Sequence, residues 1–293
     1  MAHDIQVRKL RFPLDPGVPP VWNPTQREWS HMVNGASLAM PYLEPFLNHT
    51  LREASDQLDN ADLAADVRGF IGQEAQHYTQ HRRYNEMLKA NGYPELAAVE
   101  ATFAADYRAL ARRSLPWRLA YAAGFETMTA GITEWLLGDR DRLFRGADPT
   151  VTSLVLWHMV EETEHKTVAF DVFNAVSGNY LLRVLGLLHG SLHVGFMSRR
   201  AYVAMLKKDG CWHDLRSRLR LWSMVVRFLV RAGSAMVRAL HPRHHPDQVE
   251  DPPWVRVWQR AYAGSGNTPA PMLDTSAPGI PPVFARGEHC NDR

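Results

Sequence analysis

A chain of 293 residues, 45% hydrophobic and 22% charged, has the make-up of an ordinary globular protein and is long enough to bury a substantial core. Its formal net charge of +2 excludes nucleic-acid binding by bulk electrostatics, so any basic surface has to be local. The two cysteines, Cys211 and Cys290, have neither metal-ligand spacing nor the density of a disulfide scaffold, which fits a reducing cytoplasm.

The opening MAHDIQVRKLRFPLDP is charged, interrupted by prolines and without the apolar core of a signal peptide. Pro13, Pro16, Pro19, Pro20 and Pro24 make residues 1–25 an extended arm. From residue 26 to 245 helical periodicity dominates and strand alternation is absent, so the expected fold is all-α. A first helix spans about 24–59, with a kink or break expected at Pro41 and Pro45. A second covers about 63–90 and stops at Asn91-Gly92. A third runs over about 94–113, and a fourth opens at Ser114 with Pro116 and reaches Leu137. GDRDRLFRGADP reads as a loop or short turn, followed by a fifth helix from Pro149 to Val176. Two more helices follow, about 180–208 and 213–240. The most apolar stretch, Leu181 to Met197, contains Arg183, His189 and His193, which argues against a membrane span. Residues 246–293 are rich in proline and glycine and read as a tail, free or strapped over the surface.

Chemistry concentrates on four of these helices. Glu44 lies on the first, Glu74 and His77 on the second, Glu126 on the fourth, and Glu162 and His165 on the fifth. Residues three apart share a helix side, so each Glu-x-x-His pair can present two ligands to one metal zone. Two lone glutamates plus two Glu-x-x-His pairs form the donor set of ferritin-like di-iron and di-manganese carboxylate proteins. Four carboxylates neutralise two divalent cations where unpaired charge is costly. The expected fold is therefore a ferritin-like four-helix bundle with additional C-terminal helices. With fourteen histidines, one Glu-x-x-His alone is weak evidence. Glu28-x-x-His31 illustrates this: it lies sixteen residues before Glu44, about 24 Å along a helix, and reads as a decoy. His158 shares the stripe of Glu162 and His165 and is a candidate seventh ligand. His81 shares that of Glu74 and His77, as a ligand or as a donor that orients a carboxylate. Glu161 and Glu164 point elsewhere, toward solvent or behind the ligands.

The segments VRKLRFP, VWNPTQ, PYLEPF, FIGQEAQHYTQHRRYNEML and VEETEHKTVAFDVF resemble a bacterial family described as predicted metal-dependent hydrolases, over roughly residues 5–245. His158-x-x-x-Glu162-x-x-His165 is also similar to the second metal helix of di-iron N-oxygenases, in which the additional histidine is a ligand. Glu44, with a proline on either side, departs most from a regular ligand helix.

The ligand set makes an oxygen-activating di-iron oxygenase or oxidase, acting on a small apolar or aromatic substrate with dioxygen and an electron donor, the leading expectation. A metal-dependent hydrolase using a metal-bound hydroxide is the alternative, and non-catalytic metal handling a third. Two iron ions are expected, with manganese, mixed manganese and iron, or zinc as substitutes. Arg216, Arg220, Arg227, Arg231 and Arg238 form one helical stripe opposite Leu219, Leu221, Val225, Phe228 and Leu229. Such a helix suits an anionic membrane surface or an acidic partner. The expected location is therefore cytoplasmic, peripheral to the inner membrane if that helix binds lipid, and a homodimer is open.

Overall fold

A computed structural model describes residues 5–264, 270 and 272–283. Cys290 and the remainder of the C-terminal tail lie outside these residues. Among the described residues the protein is all-α apart from one short hairpin. Its helices are α1 (Arg27–Ser55), α2 (Ala61–Ala90), α3 (Leu96–Leu110), α4 (Leu115–Gly138), α5 (Arg140–Phe144), α6 (Pro149–His165), α7 (Val168–Val176), α8 (Tyr180–Lys208), α9 (Leu215–Ala239) and α10 (Pro253–Ala263). Strands β1 (Met272–Leu273) and β2 (Pro282–Val283) pair antiparallel, Met272 opposite Val283.

Local chemistry sets most helix ends. The Asn60 side chain accepts from the backbone N–H groups of Asp62 and Leu63 at the start of α2. Asp148 does the same for Thr150 and Val151 at the start of α6, where Pro149 occupies the first turn. Gly92, at φ 111°, follows the end of α2.

The expected break in the first helix does not occur: α1 continues through Pro41 and Pro45. Proline at 41 has no N–H for the Ser37 carbonyl. Asn85 Nδ2 on α2 takes over that role, donating to Ser37 O at 3.0 Å. The fifth expected helix, in contrast, is two. Its hydrogen-bond ladder is interrupted at Lys166 and Thr167, although both keep right-handed helical dihedrals. GDRDRLFRGADP contains the one-turn helix α5, which buries Leu143 and Phe144.

α1, α2, α6 and α4 close a ring in which each helix packs on the next, with α7, α8 and α9 laid against α4. Apolar side chains fill its interior, among them Leu43, Phe46, Phe70 and Trp157. Small residues let α8 approach closely. A Cβ at Gly186 would overlap the Ala120 backbone, and one at Gly190 would lie 3.1 Å from the Phe125 nitrogen.

The N-terminal segment is bound along α2. Gln73 donates to the Gln6 carbonyl, Gln80 to that of Leu10 and Arg83 to that of Phe12. Residues 253–263, within the stretch whose composition reads as tail, are helical and bury Trp254 and Trp258. The hairpin beyond them is tied to α6 by the Leu273 N–H, which donates to Ser153 Oγ.

Candidate metal centre

Six residues named from the sequence converge inside the ring: Glu44 from α1, Glu74 and His77 from α2, Glu126 from α4, and Glu162 and His165 from α6. All are buried. Donor atoms of Glu74, Glu126, Glu162 and His165 lie within 4.8 Å of one another, and so do those of Glu44, Glu74 and His77. His165 Nε2 stands 3.2 Å from Glu74, 3.4 Å from Glu162 and 3.8 Å from Glu126. His77 Nδ1 is 3.6 Å from Glu74 and 3.7 Å from Glu162.

Unsatisfied atoms mark the same place. Both carboxylate oxygens of Glu44, Glu74 and Glu126, one of Glu162, His77 Nδ1 and His165 Nε2 are buried without a hydrogen-bond partner among the described residues. Buried polar atoms are rarely left unpaired, because each such group costs about 1–3 kcal/mol. Nine orphaned atoms on six converging residues are what a cation-binding cage requires. Carboxylates and imidazoles suit iron, manganese or zinc, so the donors present fit a metal.

The electrostatics agree. Burial, reinforced by the neighbouring Glu74 and Glu162, pushes Glu44 well above the ordinary carboxylate range. Burial and Glu162 do the same to Glu126. Burial alone would also raise Glu74, but the facing His165 and His77 pull it below its usual value. Glu162 is held well below against the same burial, chiefly by charge on His165 and by contact with His158. Burial opposes charge on His77, yet its contacts with Glu161 and Glu74 push it up to about 9. His165, also buried, is raised well above the usual imidazole value by Glu162 and Glu74.

Each Glu-x-x-His histidine is held from behind. His77 Nε2 lies 2.9 Å from Glu161, whose other oxygen accepts from Arg8 at 2.9 Å. His165 Nδ1 lies 2.8 Å from Gln73 Oε1, and Gln73 Nε2 donates in turn to Glu164. Arg8 also donates to both Glu164 oxygens, at 2.8 and 2.7 Å. These partners leave His77 Nδ1 and His165 Nε2 as the nitrogens that face the cage. Glu161 and Glu164, read as facing solvent or lying behind the ligands, belong to the second description. Gln73 and Arg8 were not singled out from the sequence. Arg8 lies 69 positions before Glu161's partner His77, and no local pattern joins them.

His158 and His81 enter through a hydrogen-bond relay with one allowed direction. Asn85 gives its amide N–H to the Ser37 carbonyl, so its oxygen faces Ser37 Oγ and accepts from that hydroxyl at 2.8 Å. Ser37 Oγ then accepts from His81 Nδ1, also at 2.8 Å. Burial, with the charges of His158 and His77, keeps His81 well below the ordinary imidazole value, so His81 is neutral and its Nε2 accepts from His158 Nδ1 at 2.7 Å. Burial and His77 lower His158 as well. Its remaining nitrogen, Nε2, therefore carries a lone pair aimed at the cage, 2.8 Å from Glu162 and 3.8 Å from Glu44. A shared proton or a metal cation has to lie between such partners. His158 thus presents a free nitrogen to the cage, with His81 behind it.

Glu28 and His31 stand apart from the cage. His31 pairs with Asp209 at 2.9 Å, and that carboxylate also accepts from Tyr93. The chain thus defines an all-α protein whose core holds a buried glutamate and histidine cluster suited to metal. Residues 6–250 match the model of the family described as predicted metal-dependent hydrolase, and the chain belongs to that family. Neither the curated proteins nor the solved structures contain a match.

Proposed function

We propose that this chain is a ferritin-like two-metal hydrolase. Glu44, Glu74, His77, Glu126, Glu162 and His165 hold two divalent cations, with His158 as a seventh ligand. The observation that carries this reading is the set of orphaned donor atoms on all six residues. Family membership moves hydrolysis ahead of the oxygen chemistry that the ligands alone suggest. Two metals bound here would supply Lewis-acid activation of water and of a substrate carbonyl or phosphoryl oxygen. The protein's own part is positioning. Glu161 with Arg8 fixes His77, Gln73 fixes His165, and the Ser37–His81 relay fixes His158. Trp157, 4.9 Å from His77 between ring centres, and Phe70, 4.7 Å from His165, wall the cage with apolar surface. Those walls favour a small apolar or aromatic substrate.

A second reading is oxidation by dioxygen with an external electron donor. It is favoured by the four-carboxylate, two-histidine donor set, shared with iron and manganese carboxylate sites. Metal content should be measured on protein from iron-replete medium and on the Glu74→Ala and Glu162→Ala variants. About two metals per chain, lost in both variants, is the expected result. Retention of metal by both variants would refute the cage. Turnover of ester and phosphoester panels under strict anaerobiosis then separates the readings. Activity that needs neither oxygen nor reductant supports hydrolysis, and activity only with both replaces it with the oxidative reading.

A further inference from the structure

The outer faces of α8 and α9 carry a surface that the metal centre does not use. On α8, Leu181, Leu185, Leu188, Leu192 and Phe196 recur every three or four residues and are exposed. On α9, Leu215, Leu219, Trp222, Val226 and Leu229 do the same, with Trp222 at 56% exposure. The arginine stripe of α9 is flanked by exposed apolar residues, and only a narrow third side is buried. Its buried side is made of Ser217, Leu221, Ala232, Ala235 and Ala239, while Leu219 and Leu229 share the open side with the arginines.

The two helices are linked at both ends and both rest on α4. Tyr180 Oη donates to the Leu240 carbonyl at one end, and residues 209–214 join the other ends, so α8 and α9 run antiparallel over α4. Together they carry eleven arginines and lysines and no aspartate or glutamate. Since the whole chain is only +2, the rest of it sums to −9. Arg200 and Arg238 reach acids on neighbouring helices, and Lys208 reaches Glu95 just before α3. Arg199, Arg216, Arg220 and Arg231 form no ion pair among the described residues.

We propose that this face docks on an anionic lipid bilayer, with the apolar rows in the acyl boundary and the arginines at the phosphates. Two exposed apolar rows of this length mark an interaction site. A second copy fits poorly, because a two-fold interface would set these acid-free basic helices against themselves. A bilayer supplies both apolar depth and negative charge. α8 is long and apolar enough to cross a membrane, but 39% of its apolar window is buried and Gly186 and Gly190 lock it onto α4. It therefore lies along the bilayer and does not span it.

The test is flotation of the full chain with vesicles of phosphatidylcholine alone, or with about one-third phosphatidylglycerol, at low and high salt. Binding to the anionic vesicles is expected, weakened by salt and absent on the neutral ones. Arg220→Gln with Arg231→Gln should lower partitioning about 10- to 30-fold. Trp222→Ser with Leu229→Ser should lower it at least about 10-fold. All four side chains are exposed, and unchanged melting temperature and metal content show that the variants fold. No flotation at low salt, or flotation of both double variants equal to that of the wild type, overturns the proposal. So does a wild-type dimer that Trp222→Ser with Leu229→Ser converts to monomer, which would assign the face to self-association.

Discussion

His77 and His165 each commit one ring nitrogen to a partner behind the cage and turn the other inward. Such partners typically change metal affinity about 10- to 100-fold when removed. Gln73→Leu, which strips the acceptor from His165 Nδ1, should weaken metal binding by about that factor in a chelator competition; wild-type affinity would show that Gln73 only fills space. Asn85→Leu cancels the direction of the His158 relay and leaves the Ser37 carbonyl without its donor. It should cost stability by about 1–3 kcal/mol, and it should also change the spectrum of bound cobalt, which a purely structural loss would leave alone. Protons compete with metal for the same donors. With His77 raised to about 9, metal uptake has to displace its proton, so affinity should climb as pH rises toward 9. An affinity flat across that range would mean that His77 is not a ligand.

At the level of elements, α4 is the helix whose two sides do different work. One side turns Glu126 into the cage, and the other accepts α8 and α9. The contact with α8 depends on Gly186, where any side chain meets the Ala120 backbone, which cannot rotate away. Gly186→Ala should destabilise the fold by about 1–3 kcal/mol or more, read as a lower melting temperature. An unchanged melting temperature would mean that the two helices can separate freely. α1 shows the complementary device. Two prolines in its interior ought to break it, and it survives at Pro41 because α2 supplies the donor that proline lacks. The ligand helix and the His158 relay are therefore built around the same missing N–H.

For the whole molecule, stability and metal are linked. The metal-free fold raises His77 above 6.5 and holds Glu44 and Glu126 protonated beyond their ordinary range. Groups raised in the folded state stabilise it below their unfolded pKa, and that stability is lost as pH rises through the folded value. The metal-free protein should thus lose melting temperature between pH 6.5 and about 9, and the metal-loaded protein should not. Parallel curves for the two forms would show that the cage is not the origin of the dependence. Arg8 ties the N-terminal segment and α10 to this centre. It pairs with Glu161 and Glu164 and lies over the rings of Trp258 and Tyr262 on α10.

The periodicity of the sequence was enough to read the all-α class, and its spacing enough to single out as candidates Glu44, Glu74, His77, Glu126, Glu162, His165 and His158, which the fold brings together. Helical spacing reports which residues share a face, and metal donors have to share one. It could not report what stands behind that face. Gln73 and Glu161 look like any polar residue of an amphipathic helix, and only packing puts them against His165 and His77. The direction of the Asn85–Ser37–His81–His158 relay needs three helices in contact. Which side of α9 is open could not be read for the same reason. A helical wheel separates basic from apolar residues, but which of them stay in water depends on where α4 lies, and that only the tertiary structure decides.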